Sequence, residues 1–95
     1  MMEAPTPPKS AARAAEIAAG LDPADPAAIL AALIRCPSVT PREGGALALI
    51  EALLARQGFA VARPVFAEAG TEPVENLFAR IGEAGPHLVF AGHTD

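Results

Sequence analysis

The stretch His87-Leu88-Val89-Phe90-Ala91-Gly92 constrains the fold of this chain most. Successive side chains of a strand point to opposite faces, and the middle of this stretch is apolar on both. Such a strand belongs inside a sheet that is covered on each side. The chain offers little mass to cover it. It has 95 residues, and although 52% are hydrophobic, many of these are alanine, aromatics make up only 4%, and Trp and Tyr are absent. A chain of this length buries only about 60–65% of its unfolded surface. The expectation is therefore an α/β fold in incomplete form: the N-terminal part of a layered domain, two helices followed by three strands, cut off in mid-fold after the most buried strand.

The helices are marked by their caps. Asp25 is a good N-cap, and Pro26 at the first helical position lacks only an N–H that would be unpaired there. Ile29, Leu30, Leu33 and Ile34 then make a narrow apolar face. Pro37 ends that helix, because a residue before proline is pushed out of the α region. Cys36-Pro37-Ser38-Val39-Thr40-Pro41 follows as a stiff extended loop. Gly44-Gly45 opens a second helix with Leu47, Ile50, Leu53 and Leu54 on its apolar side, and Arg56 and Gly58 suit its C-terminus. The period then changes to 2. Phe59, Val61 and Arg63 alternate with Ala60 and Ala62 until Pro64 breaks an edge strand. Residues 67–75 read as a loop, residues 76–81 as a second strand, and residues 87–92 as the third. Ahead of all this, residues 1–24 read as a flexible Ala/Pro-rich extension. Within it Ser10 could cap a short alanine helix over 11–19, which has almost no apolar stripe beyond Ile17.

Several functions are excluded early. A single cysteine, Cys36, rules out an internal disulfide framework and a multi-cysteine zinc site. A net charge of −4 gives no basic surface for nucleic acid. No window approaches the roughly 18 uncharged apolar residues of a membrane span. The N-terminus carries Glu3, Lys9, Arg13 and Glu16 and lacks the basic-then-leucine-rich order of a secretory signal. A cytoplasmic location is the default expectation.

Chemistry concentrates in Gly92-His93-Thr94-Asp95, at the C-terminal end of the apolar stretch, where sites of α/β sheets collect. His93 offers an imidazole nitrogen suited to zinc. Asp95, two residues on, points to the same side of an extended chain and can accept the other imidazole N–H, fixing the tautomer. By itself H-x-D is a weak signal, since a strand-end histidine is more often a hydrogen-bonded surface residue than a ligand. His87 lies roughly 20 Å away along a strand, too far to share an ion. Cys36, beside Pro37 at a helix end, reads as a small buried filler. A catalytic zinc takes about three protein ligands, so the site is half present. Ser38 and Thr40 are nucleophiles by residue type only, with no G-x-S-x-G elbow around them. Arg35, Arg42 and Arg63 read as scattered, solvated cations. Gly44-Gly45 and Gly82-x-x-Gly85 lack the lysine or the strand-to-helix setting of a phosphate loop.

Three segments together resemble the succinyl-diaminopimelate desuccinylases of the M20 metallopeptidase clan. Leu33-Ile34-Arg35-Cys36-Pro37-Ser38-Val39-Thr40-Pro41 looks like that family's IRxPSVTP segment. Gly58-Phe59 followed by residues 74–82 is similar to its second strand and the approach to it. Residues 85–95 resemble its GPxLxFAGHTD strand. The likeness runs from about Pro26 to Asp95, and PSVTP with FAGHTD favours the desuccinylase over its relatives. It implies that residues 25–95 are the N-terminal portion of a zinc-exopeptidase-like catalytic domain. It further implies hydrolysis of N-succinyl-LL-2,6-diaminopimelate to succinate and LL-2,6-diaminopimelate, a two-zinc site in which cobalt can substitute, and a cytoplasmic homodimer. His93 matches a metal ligand of the family. Asp95 matches the aspartate that orients it and counts as a catalytic residue. The family's bridging aspartate, paired glutamates, further metal carboxylate and second histidine match nothing in this sequence, so the 95 residues alone are expected to be inactive. Another deacylase of the clan, such as acetylornithine deacetylase, and a non-catalytic α/β module are the competing readings.

Overall fold

The structure, a computed structural model, describes residues 9–95; the proline-rich lead over residues 1–8 lies outside the described residues. Three helices come first: α1 (Lys9–Ala19), α2 (Pro26–Ile34) and α3 (Ala46–Arg56). Four short strands follow: β1 (Ala60–Ala62), β2 (Val65–Phe66), β3 (Val74–Glu75) and β4 (Phe78–Arg80). The class is α/β as expected, with one helix more than expected and the strands differently arranged.

Residues 9–19, read from the sequence as part of a flexible extension, form α1 and pack on α3. The buried stripe is made of alanine: Ala14 and Ala18, four residues apart, are buried, while Ile17 is 39% exposed. Small side chains let two helices approach closely, so the lack of large residues is compatible with packing. The last turn of α1 is closed by Gly20, whose N–H reaches the carbonyls of Glu16 and Ile17. The Arg56 guanidinium donates to the Ala18 carbonyl at 2.5 Å, so the cation at the end of α3 satisfies the C-terminus of α1.

Helix α2 begins as the sequence indicates. The Asp25 carboxylate accepts from the Ala28 N–H at 3.1 Å, with Pro26 at the first position. Its inner face is Ile29, Ala32 and Leu33; Leu30 and Ile34, expected on that face, are exposed. Helix α3 is the most buried element, with Ala46 through Leu49 and Leu53 all inside. Ala14, Ala18, Ala32, Ala48, Leu49 and Leu53 form the core, with Leu21 and Leu33 packed against it.

The strands make one interrupted hairpin. β1 pairs antiparallel with β4, placing Val61 opposite Ala79, and β2 pairs antiparallel with β3, placing Phe66 opposite Val74. Between the two pairs, Pro64 has no N–H to offer, and its carbonyl accepts from the Asn76 N–H at 2.8 Å. Val74–Glu75, expected as loop, is strand because β2 lies opposite it.

The third expected strand does not form. Residues 87–92 carry no strand pairing, and Leu88, Val89 and Phe90 are 81%, 78% and 88% exposed. A strand needs a neighbour for its N–H and C=O groups, and β4 pairs with β1 instead. The apolar composition of the stretch was legible; its burial depended on neighbours that the described residues do not provide.

Substitution should separate these two kinds of apolar position. Leu49 is 1% exposed, and Leu49→Ala should cost about 2–4 kcal/mol in urea denaturation. Leu88→Ser, at a position that is 81% exposed, should change stability by less than about 0.5 kcal/mol.

Candidate functional site

The connection from α2 to α3 sets the geometry of the site. Pro37 and Pro41 stiffen it, and the Thr40–Pro41 peptide is cis. Gly44 closes it with φ +59°; a Cβ there would lie 2.3 Å from the Pro37 carbonyl oxygen, so only glycine permits this approach. Glu43 then anchors the loop to α3. Its carboxylate accepts from the N–H groups of Gly45 at 2.9 Å, Leu47 at 2.8 Å and Ala48 at 3.2 Å, which places a negative charge on the positive end of the helix. Gly45, in the N-cap position, has no side chain to do this.

Held in this way, the loop reaches the chain end. Ser38 and Thr40 alternate with Val39, so their side chains fall on one side of an extended segment. Ser38 Oγ donates to the Thr94 carbonyl at 2.5 Å, and Thr40 Oγ1 donates to Asp95 Oδ2. Asp95 Oδ1 lies 3.0 Å from His93 Nδ1. The pairing of His93 with Asp95 inferred from H-x-D spacing is present, although residues 93–95 are not held by a sheet. His93 is 89% exposed at its side chain. The Asp95 carboxyl is held below its ordinary value, first by the Thr40 hydroxyl and then by the His93 contact. An ionised carboxylate only accepts hydrogen bonds, so in the neutral imidazole this contact places the proton on Nδ1 and the free lone pair on Nε2. Thr40, His93, Thr94 and Asp95 line an open cleft of about 610 Å³, together with Leu47, Ile50 and Asn76.

Ser38 and Thr40, which from the sequence are nucleophiles by residue type only, take part here through their hydroxyls. Their contacts with the Thr94 carbonyl and the Asp95 carboxylate are invisible in the sequence, since they span 56 and 55 positions. Arg63, expected to be solvated, is corrected as well. Its Nε and Nη2 meet Glu75 at 3.0 and 2.9 Å, Nη1 meets Glu51 at 3.1 Å, and Glu43 lies 3.9 Å away. This guanidinium joins the loop, α3 and β3, and the Glu75 hydrogen bonds raise its pKa further against the opposing effect of burial. Cys36 is half-buried and its thiol donates to the Ala32 carbonyl at 3.5 Å; burial, then Glu43, pushes its pKa up, which fits a filler and not a thiolate ligand. Among the described residues no three His, Cys, Asp or Glu side chains converge on one point that could hold a metal ion.

Part of this sequence is similar to that of named proteins. Over 70 residues, 74% of this chain, it is 67% identical to a protein of Methylorubrum populi and 66% identical to proteins of Methylorubrum extorquens and Methylobacterium nodulans. All three carry one name. These homologues are succinyl-diaminopimelate desuccinylases. The matched segment is 18% of the length of each relative, so the chain spans a minor part of the desuccinylases that it resembles. No family model matches the chain, and no solved structure matches it. The desuccinylase likeness read from short segments thus extends over 70 residues of the chain. Among the described residues no helix is long and apolar enough to cross a membrane.

Two consequences are measurable. Arg63→Ala leaves three carboxylates without their shared cation and should cost about 1.5–3 kcal/mol in chemical denaturation, with a smaller difference in high salt. Because the carboxyl pKa of Asp95 is depressed in the folded chain, its contacts are complete above its ordinary value of 3.8 and are lost as pH falls through the lower, folded value. The NMR signals of Thr40 and Asp95 should move together in that acid range.

Proposed function

We propose that this chain contributes the first metal-ligating histidine of a metal-dependent succinyl-diaminopimelate desuccinylase. The observation that carries the reading is the His93–Asp95 pair with Nε2 unengaged, in a chain whose homologues bear that name. The reaction is hydrolysis of N-succinyl-LL-2,6-diaminopimelate: water adds across the amide, the C–N bond breaks, and succinate and LL-2,6-diaminopimelate leave.

The donor chemistry fits zinc in part. A neutral imidazole nitrogen is a good zinc donor, and a carboxylate on its far side is the usual supporting partner. His93 would hold the ion through Nε2, and Asp95 would keep the proton on Nδ1 and make the ring a stronger donor. One such histidine is not a complete site, because catalytic zinc takes about three protein ligands. The remaining ligands and the proton-moving glutamate belong to residues other than those described. Zinc, or cobalt in its place, would supply electrophilic activation of the amide carbonyl and of water. A two-metal site, a cytoplasmic location and a homodimer complete the proposal on the strength of the desuccinylase likeness.

Two experiments test it. Zinc titration of the 95-residue chain should give weak binding, no tighter than a histidine–carboxylate pair provides. Tight one-to-one binding abolished by His93→Ala would refute the half-site reading. Reading the coding frame beyond Asp95 should reveal a further aspartate, a Glu-Glu pair and a late histidine. The protein expressed from that frame should release succinate, and His93→Ala there should cost more than about 100-fold, since changes to supporting residues alone cost about 10–100-fold. A product that hydrolyses other N-acyl amino acids and not the succinyl substrate would assign it to another deacylase.

A further inference from the structure

We infer that Thr40 is a positioning residue for His93, acting through Asp95, and that the loop over residues 38–40 is the clamp that orders the histidine. The inference deepens the proposed function and rests on His93 being the donor in question. Asp95 has two carboxylate oxygens and two partners on different segments. Oδ2 takes the Thr40 hydroxyl and Oδ1 faces His93 Nδ1. With Oδ2 engaged, the carboxylate cannot turn freely about its side-chain bonds, and Oδ1 stays aimed at the imidazole. Ser38 adds a second attachment two residues earlier, on the backbone carbonyl of Thr94 between the two site residues. Two hydroxyls from one face of a proline-bounded loop thus grip a three-residue segment, one by its backbone and one by its carboxylate.

This grip matters because little else holds the segment. Residues 87–92 make no strand pairing and His93 is largely exposed. An isolated histidine–carboxylate contact in water is worth little. The loop itself is fixed, by Glu43 on the α3 N-terminus and by the close approach of Gly44 to Pro37. The order is therefore relayed from helix to loop, from loop hydroxyl to carboxylate, and from carboxylate to imidazole. It also gives the hydroxyl residues of the PSVTP segment a role that needs no nucleophile.

The test uses the whole 95-residue chain with 15N-labelled histidine at about pH 8, where an ordinary imidazole is neutral. Ring nitrogen shifts distinguish a protonated nitrogen from a bare one. The wild type should hold the proton on Nδ1. Thr40→Val, which keeps the shape and removes the hydroxyl, should shift the ring towards the Nε2–H form that free imidazole side chains prefer. Thr40→Ser should restore the wild-type pattern. A Thr40→Val ring identical to wild type, in a chain with unchanged circular dichroism, overturns the inference. So does failure of Thr40→Ser to restore the pattern. Should Thr40→Val unfold the chain, the wild type still decides. A slowly exchanging Thr40 hydroxyl proton with a through-space contact to the Asp95 methylene is expected, and its absence in the cold overturns the inference. Zinc titration in parallel separates this from the functional reading. Thr40→Val should weaken the weak zinc binding about 10-fold. If His93→Ala leaves zinc binding of the wild type unchanged, the ligand reading fails, while the nitrogen shifts still decide the role of Thr40.

Discussion

Burial of α3 is the constraint on which the rest of the structure depends. One face, through Ala48, Leu49 and Leu53, closes on the alanine stripe of α1 and on Ala32 of α2. Its N-terminus is tied by Glu43 to the loop that reaches the site. Its flank, through Glu51, meets Arg63 and with it the hairpin. Removing this helix would leave α1, the loop and the strands with no common support. The core is small and rich in alanine, so its stability comes from close approach more than from apolar area. That makes the few leucines disproportionately important.

The apolar stretch over residues 87–92 stands in contrast. It has the composition of an interior strand and lies unpaired, with Leu88, Val89 and Phe90 in solvent. Phe78 and Ile81 are also exposed nearby in sequence. A sheet strand is stabilised by what flanks it and not by its own sequence, so composition alone cannot place it. His93 and Asp95 follow directly on this stretch. Their order within this chain comes from the hydroxyls of Ser38 and Thr40, while a paired strand would supply it by backbone hydrogen bonds.

What was legible followed from local rules. The Asp25-Pro26 cap, the start of α3 at Gly44-Gly45 and the ladder break at Pro64 each depend on a few adjacent residues, and each is where the sequence put it. The H-x-D pair was legible for the same reason, since two residues of extended chain fix its geometry. Long-range contacts were not legible. Helix α1 looked too poor in large side chains to pack, yet its alanines meet the inner face of α3. Arg63 looked solvated, yet three carboxylates from distant positions gather on it. Ser38 and Thr40 show no role in the sequence beyond their residue type, because their partners lie more than fifty positions away.

A helical layer that packs on itself holds the His93–Asp95 pair through one loop, beside a strand-like segment that has no paired neighbour among the described residues. Backbone amide hydrogen exchange on the 95-residue chain tests this most directly. The account predicts strong protection along α3 and the inner face of α1, and exchange of Leu88 to Ala91 at the rate of an unstructured peptide. Protection of Leu88 to Ala91 comparable to that of α3 would contradict it, because those amides would then have partners that the structure does not contain.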